Sequence, residues 1–246
     1  LTSAEPEMKI LGVKLVNDGK SKMTGVQSGV SSVSEKALDY LITEQNEDGS
    51  WGSASTTKFI TTVAVLDALE VVGFTGAALT EGLDWLNYYI PENNDYLAEQ
   101  LKVWARAGAS TSTAADLARG LDSDIGGFKF DRDYEPDPLT TAKALQALHS
   151  AHYRDWGDEP NATVSLGLNY LIDTKRSDHG WSIFDRGDKS IFVTTEVIEA
   201  LLLWKHRLLG KIRVDDTLDP AVTTLINAQK TNGTWDNELL STALAY

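Results

Sequence analysis

Apolar and polar positions along the chain fall into one repeated pattern. In TTVAVLDAL at 61–69, Thr62, Val65, Leu66 and Leu69 stand at i, i+3, i+4 and i+7, one face of an α-helix. The stripe returns in TTAKALQAL at 140–148, VTTEVIEAL at 193–201 and STALAY at 241–246, with Thr62, Thr141, Thr194 and Thr242 equivalent. Each stripe follows a glycine–aromatic turn: Gly49-Ser50-Trp51, Gly127-Phe128, Gly180-Trp181 and Gly233-Thr234-Trp235. A second amphipathic stretch precedes three of the turns: ALDYLITEQ at 37–45, GLNYLIDTK at 167–175 and AVTTLINAQ at 221–229. The repeating unit is helix, turn, helix. Helices are predicted near 33–45, 56–72, 79–90, 139–152, 162–174, 191–208, 217–229 and from about 239.

The interval from Thr62 to Thr141 is 79 residues, against 53 and 48 for the next two. Within it, EGLDWLNYYI and LAEQLKVWARAG carry helical patterns without a glycine–aromatic turn and read as a degenerate fifth unit. Hairpins recurring at this spacing cannot each bury an apolar face alone, so they must stack. The expected class is all-α, over residues 33–246. Residues 1–32, with the strand-like MKILGVKLV, are expected to be a linker or short extended structure.

Two of the turns carry more than glycine and tryptophan. Gln45-Asn-Glu-Asp-Gly49-Ser-Trp51 and Gln229-Lys-Thr-Asn-Gly233-Thr-Trp235 resemble the Q-x-x-x-G-x-W motif of squalene and oxidosqualene cyclases. The resemblance implies the α/α toroid that those enzymes share with protein prenyltransferases, an inner and an outer layer of helices around a cavity. By the same resemblance, Gln45, Trp51, Gln229 and Trp235 tie helix ends together. The helices after the turns are then inner and those before them outer, with about five hairpins recognisable.

Composition narrows the chemistry. The formal net charge of −14 argues against nucleic acid, which demands clustered Lys and Arg. No apolar run approaches the length needed to span a bilayer. The absence of cysteine excludes disulfides, thiolate metal ligands and a cysteine nucleophile. It is compatible with export, and an extracellular or cell-surface location is expected. A start at Leu1 without an initiator Met reads as a processed product or an excised domain.

Catalytic signatures implied by the resemblance are missing. The D-x-D-D acid cluster of squalene cyclases has its best counterpart in Pro136-Asp137-Pro138-Leu139-Thr140, where Asp137 alone is acidic. Asp122-Ser-Asp124-Ile125 lacks the last acid. The prenyltransferase zinc site needs a cysteine the chain does not have. His149 and His152 stand three apart on one predicted helix and could offer two metal ligands, although a pair at a helix end is the commoner arrangement.

One stretch stands out for its charge. In Asp131-Arg-Asp133-Tyr-Glu135-Pro-Asp137, acids alternate as oxygens do in a calcium loop, but the EF-hand glycine and terminal glutamate are absent. Asp185 and Asp188 occupy the corresponding loop one unit later. These six acids are the candidate ligand or Ca²⁺ residues, against the plainer reading of a solvated loop; no catalytic residue and no other cofactor is assigned.

Three function classes stay open. The first is a non-catalytic ligand- or partner-binding scaffold within a larger protein, holding a small hydrophobic molecule, a carbohydrate or another protein domain. The second is an isoprenoid cyclase-type enzyme, and the third a polysaccharide lyase or hydrolase on an α/α barrel. A deep aromatic cavity favours the second, rim-exposed tryptophans the third, and a shallow or filled centre the first.

Overall fold

The computed structural model describes residues 36–153, 163–183, 187–205 and 215–235. They form helices and no strand: α1 (36–43), α2 (Ser55–Val71), α3 (Ala77–Tyr88), α4 (Asn94–Arg106), α5 (Ala114–Ala118), α6 (Pro138–Ser150), α7 (Thr163–Asp173), α8 (Ile191–Leu203) and α9 (Asp215–Ala228). The all-α expectation holds, and every predicted helix within the described residues is present. The strand-like segment, Thr242 and the helix expected from about 239 lie outside the described residues.

Local chemistry sets several helix starts. Asn93 caps α4 by accepting from the Tyr96 N–H at 2.9 Å, and Asp137 caps α6 by accepting from the Thr140 N–H at 2.9 Å. Pro138 follows Asp137 in the first turn of α6, where a missing N–H costs nothing. Ser190 caps α8 through the Val193 N–H at 3.3 Å.

The chain divides into two compact units, Leu1–Ile90 and Pro91–Tyr246. In the first, α2 packs on α3, with Phe59, Leu66, Leu69, Leu86 and Trp51 as its core. In the second, α4, α6 and α8 lie side by side, and α5, α7 and α9 back them as an outer layer. The central helix α6 buries Ala142, Ala144, Leu145, Ala147 and Leu148, the alanines letting neighbouring helices come close. The degenerate fifth hairpin divides between the units: α3 packs on α2, and α4 packs on α6. The five-residue α5, too short for a periodicity signal, was not expected. It is the outer helix of the Phe128 turn.

Candidate functional site

The turns come first, because they hold the layers in register. The Trp51 N–H donates to Thr62 Oγ1 at 2.9 Å, Phe128 N–H to Thr141 Oγ1 at 2.9 Å, and Trp181 N–H to Thr194 Oγ1 at 3.0 Å. The three threonines are therefore equivalent in contact as well as in sequence. Leaving any of these buried N–H groups unpaired costs about 1–3 kcal/mol. Each indole N–H reaches back ten residues to the outer helix: Trp51 to Leu41 O at 2.6 Å, Trp181 to Leu171 O at 2.7 Å, Trp235 to Leu225 O at 2.7 Å. Phe128 has no such donor.

Both glutamines bond the turn that follows them. Gln45 Nε2 donates to Gly49 O at 2.8 Å and to Ala78 O at the start of α3 at 2.9 Å, and Gln229 Nε2 donates to Gly233 O at 3.1 Å. In the third turn Lys175 takes the glutamine's place, its Nζ 3.4 Å from Asp216 O at the start of α9. Pro220, four residues on, has no N–H to offer that carbonyl.

The glycine alignment needs one correction. The left-handed position lies two residues before the aromatic in every turn: Gly49 (φ 87°), Gly126 (φ 91°), His179 (φ 62°) and Gly233 (φ 82°). Gly127 and Gly180, aligned with Gly49 from sequence, stand one residue later. Gly127 instead lets Pro136 and Tyr170 approach, since an added Cβ would sit 2.7 and 2.9 Å from them. Gly49 is doubly constrained, because a Cβ there would meet Glu81 O at 2.4 Å.

The acidic loop follows the second turn. Asp131, Asp133 and Glu135 are exposed; Asp131 Oδ1 accepts only from the next residue, Arg132, at 2.6 Å. Asp188 is exposed ahead of α8, and Asp185 lies outside the described residues. Among the described residues no three His, Asp or Glu side chains are grouped so that they could hold a metal ion. His149 instead packs edge-on against Trp204 with ring centres 5.1 Å apart, and burial, then His152, lowers its pKa. His152, just past α6, is left-handed at φ 50°.

Two members of the loop, Glu135 and Asp137, line a cavity of about 740 Å³ in the second unit, at the N-terminal end of α6. Its wall is largely apolar and aromatic: Ile125, Phe130, Tyr134, Leu139, Tyr170 and Ile183. Tyr170 is fixed by its hydroxyl, which donates to Pro136 O at 2.7 Å. Ile125, Tyr134 and Ile183 are solvent-exposed and mark its open rim. Asp95, from the first turn of α4, supplies a third carboxylate, one that sequence reasoning missed. Burial raises the Asp137 carboxyl above its ordinary value against the Thr140 hydrogen bonds, and Asp95 adds to the rise.

Behind the cavity, α4, α6 and α8 are joined by charge. Lys143 bridges Asp95 at 3.1 Å and Glu99 at 3.8 Å; Lys102 pairs with Glu99 at 2.7 Å. Gln146 Nε2 donates to Glu196 Oε2 at 2.8 Å and to Glu196 O at 3.0 Å. Burial acts to raise Glu99, but Lys102 and Lys143 outweigh it and hold the pKa below its ordinary value. Glu196, without a comparable cation, is raised by burial. Asp95, Glu99 and Lys102 fall at i, i+4 and i+7, on one face of α4.

No protein-family model matches the chain, and no curated protein matches it. Solved structures do. A crystal structure of a protein from Actinoplanes aligns with TM-score 0.63 and 18% identity over 85% of this chain and 68% of that one. An ent-copalyl diphosphate synthase from Streptomyces platensis aligns with TM-score 0.56 and 21% identity over 72% of this chain. The fold is the terpenoid cyclase-like helical toroid. The aligned part is 35% of the synthase, so the likeness carries the fold and not the activity of the whole enzyme. No helix among the described residues is long and apolar enough to cross a membrane.

Proposed function

We propose that this chain is a ligand-binding module of the terpenoid cyclase-like fold, which holds a mainly apolar small molecule in the cavity at the start of α6 without transforming it. The observation that carries this reading is the composition of the site. Its wall suits an apolar body, yet its rim is open, and the helices behind it are joined by the Asp95–Lys143–Glu99–Lys102 ion pairs. Carbocation chemistry needs water excluded and aromatic faces turned to the charge. An open mouth does not exclude water, and the Lys143 and Lys102 ammonium groups behind the wall oppose a carbocation's charge. Asp137, the single acid at the place of the D-x-D-D cluster, is engaged as the cap of α6.

Calorimetric titration with geraniol tests the reading. Saturable binding of one molecule per chain is expected, abolished by Ile183→Arg at the rim. Absence of saturable heat, or binding indifferent to that substitution, would contradict it. A second reading, acid-initiated isoprenoid chemistry, draws on the raised Asp137 carboxyl beside an apolar wall. It requires turnover that Asp137→Asn removes.

A further inference from the structure

The first unit holds a cleft of its own. Glu81, Asp84, Trp85 and Tyr88 stand at i, i+3, i+4 and i+7, on one face of α3. The first glycine–tryptophan turn is pinned against that helix. Gln45 Nε2 donates to Ala78 O at 2.9 Å, and Gly49 sits so close that a Cβ there would meet Glu81 O at 2.4 Å. Turn and helix line a cavity of about 400 Å³, in the size range of small-molecule clefts. Glu47, Asp48 and Gly49 come from the turn, and Tyr89 joins the α3 face.

The aromatic side of this cleft is not spent on the core. Tyr88 is 83% exposed and Trp85 is half-buried. The Trp85 ring lies 5.3 Å from Tyr89 with 30° between their planes, and Tyr89 stacks at 4.5 Å on the buried Phe59. The ledge is therefore anchored to the core at one end and open at the other. The indole N–H groups of Trp51, Trp181, Trp204 and Trp235 each donate to a backbone carbonyl. That of Trp85 meets no protein acceptor among the described residues. Asp48 is committed to Ser50 and to Lys58, the latter at 2.9 Å. Glu47, Glu81 and Asp84 are exposed acceptors, and no basic residue lines the cleft.

We propose that this cleft binds a neutral sugar chain, its rings lying on Trp85 and Tyr88 and its hydroxyls donating to the carboxylates. A pyranose with equatorial hydroxyls turns C–H groups to both faces, and their partial positive charge suits the negative face of an indole or phenol. The hydroxyls at its edge are donors, and ionised carboxylates only accept, so each such bond is charge-assisted. A β-1,4-linked glucose chain meets both conditions. Acidic sugars bring like charge against the cleft and are repelled. A cation would be drawn by the same acids, but Trp85 and Tyr89 lie too close and too nearly parallel to enclose an ammonium group between them. They form a ledge and not a cage. The site is built from first-unit residues alone, so it stands or falls apart from the cavity at α6.

The test is calorimetric titration of the unaltered chain with cellotetraose near neutral pH, at low salt and again at about 0.5 M NaCl. Saturable binding of one tetraose per chain, equal at both salts, is expected, with no binding of oligogalacturonate. Trp85→Ala is expected to weaken the affinity by about tenfold. Tyr88→Ala, at a side chain too exposed to matter for folding, is expected to weaken it severalfold. No saturable heat with cellotetraose, or binding that neither substitution weakens, overturns the assignment. Tetramethylammonium bound in its place, and released by salt, overturns it in favour of a cation.

Discussion

At the scale of single residues, the repeat is written in hydroxyls and backbone angles. The threonine equivalence was legible in sequence because Thr62, Thr141 and Thr194 begin identical apolar stripes, and in each case the hydroxyl accepts the aromatic's N–H. The glycine equivalence was misread by one residue in two turns. The left-handed residue of the third turn is not a glycine, and the double glycine of the second offers two choices. His179 therefore holds a conformation that costs a side chain about 1–2 kcal/mol. Because it is exposed, His179→Gly is expected to stabilise the chain by about 1 kcal/mol, read as a higher urea midpoint at unchanged slope. A lower midpoint would show that the imidazole makes a contact worth more than the strain.

At the scale of elements, long amphipathic helices were legible and the short α5 was not, since five residues make little more than one turn and carry no period. Partnership between helices was also hidden. Gln146 and Glu196 stand 50 residues apart, and only packing of α6 on α8 brings them to 2.8 Å. Their contact gives a prediction with a definite sign. Burial raises the Glu196 pKa in the folded chain above its ordinary 4.5. The folded state therefore binds the proton more readily than the unfolded one, and the stability that Glu196 contributes is full below 4.5 and lost as pH rises through the folded pKa. Glu196→Gln keeps an acceptor for Gln146 without the charge. The variant is expected to exceed the parent in melting temperature at pH 8, with the difference shrinking as pH falls toward 4.5. A difference independent of pH would mean that Glu196 is not held against its charge.

At the scale of the whole molecule, the fold could be read from two Q-x-x-x-G-x-W copies and the repeat spacing, because a stacked array repeats its grammar in the chain. The site could not. Asp137 was visible as the remnant of an acid cluster, but Asp95 lies 42 residues earlier on another helix, and Tyr170 and Ile183 come from the next hairpin. The neighbouring acids Asp131 and Asp133 drew notice by their alternation and turn out to be exposed, while Asp95, inconspicuous in sequence, is buried. What separates a cyclase from a binding module on this scaffold is the fate of the molecule in the cavity. The most direct measurement is equilibrium dialysis of geranylgeraniol against the chain, followed by gas chromatography and mass spectrometry of both sides. The account predicts enrichment on the protein side, saturating at one molecule per chain, and recovery of the linear alcohol alone. A cyclised product that accumulates with time and disappears in Asp137→Asn would contradict it.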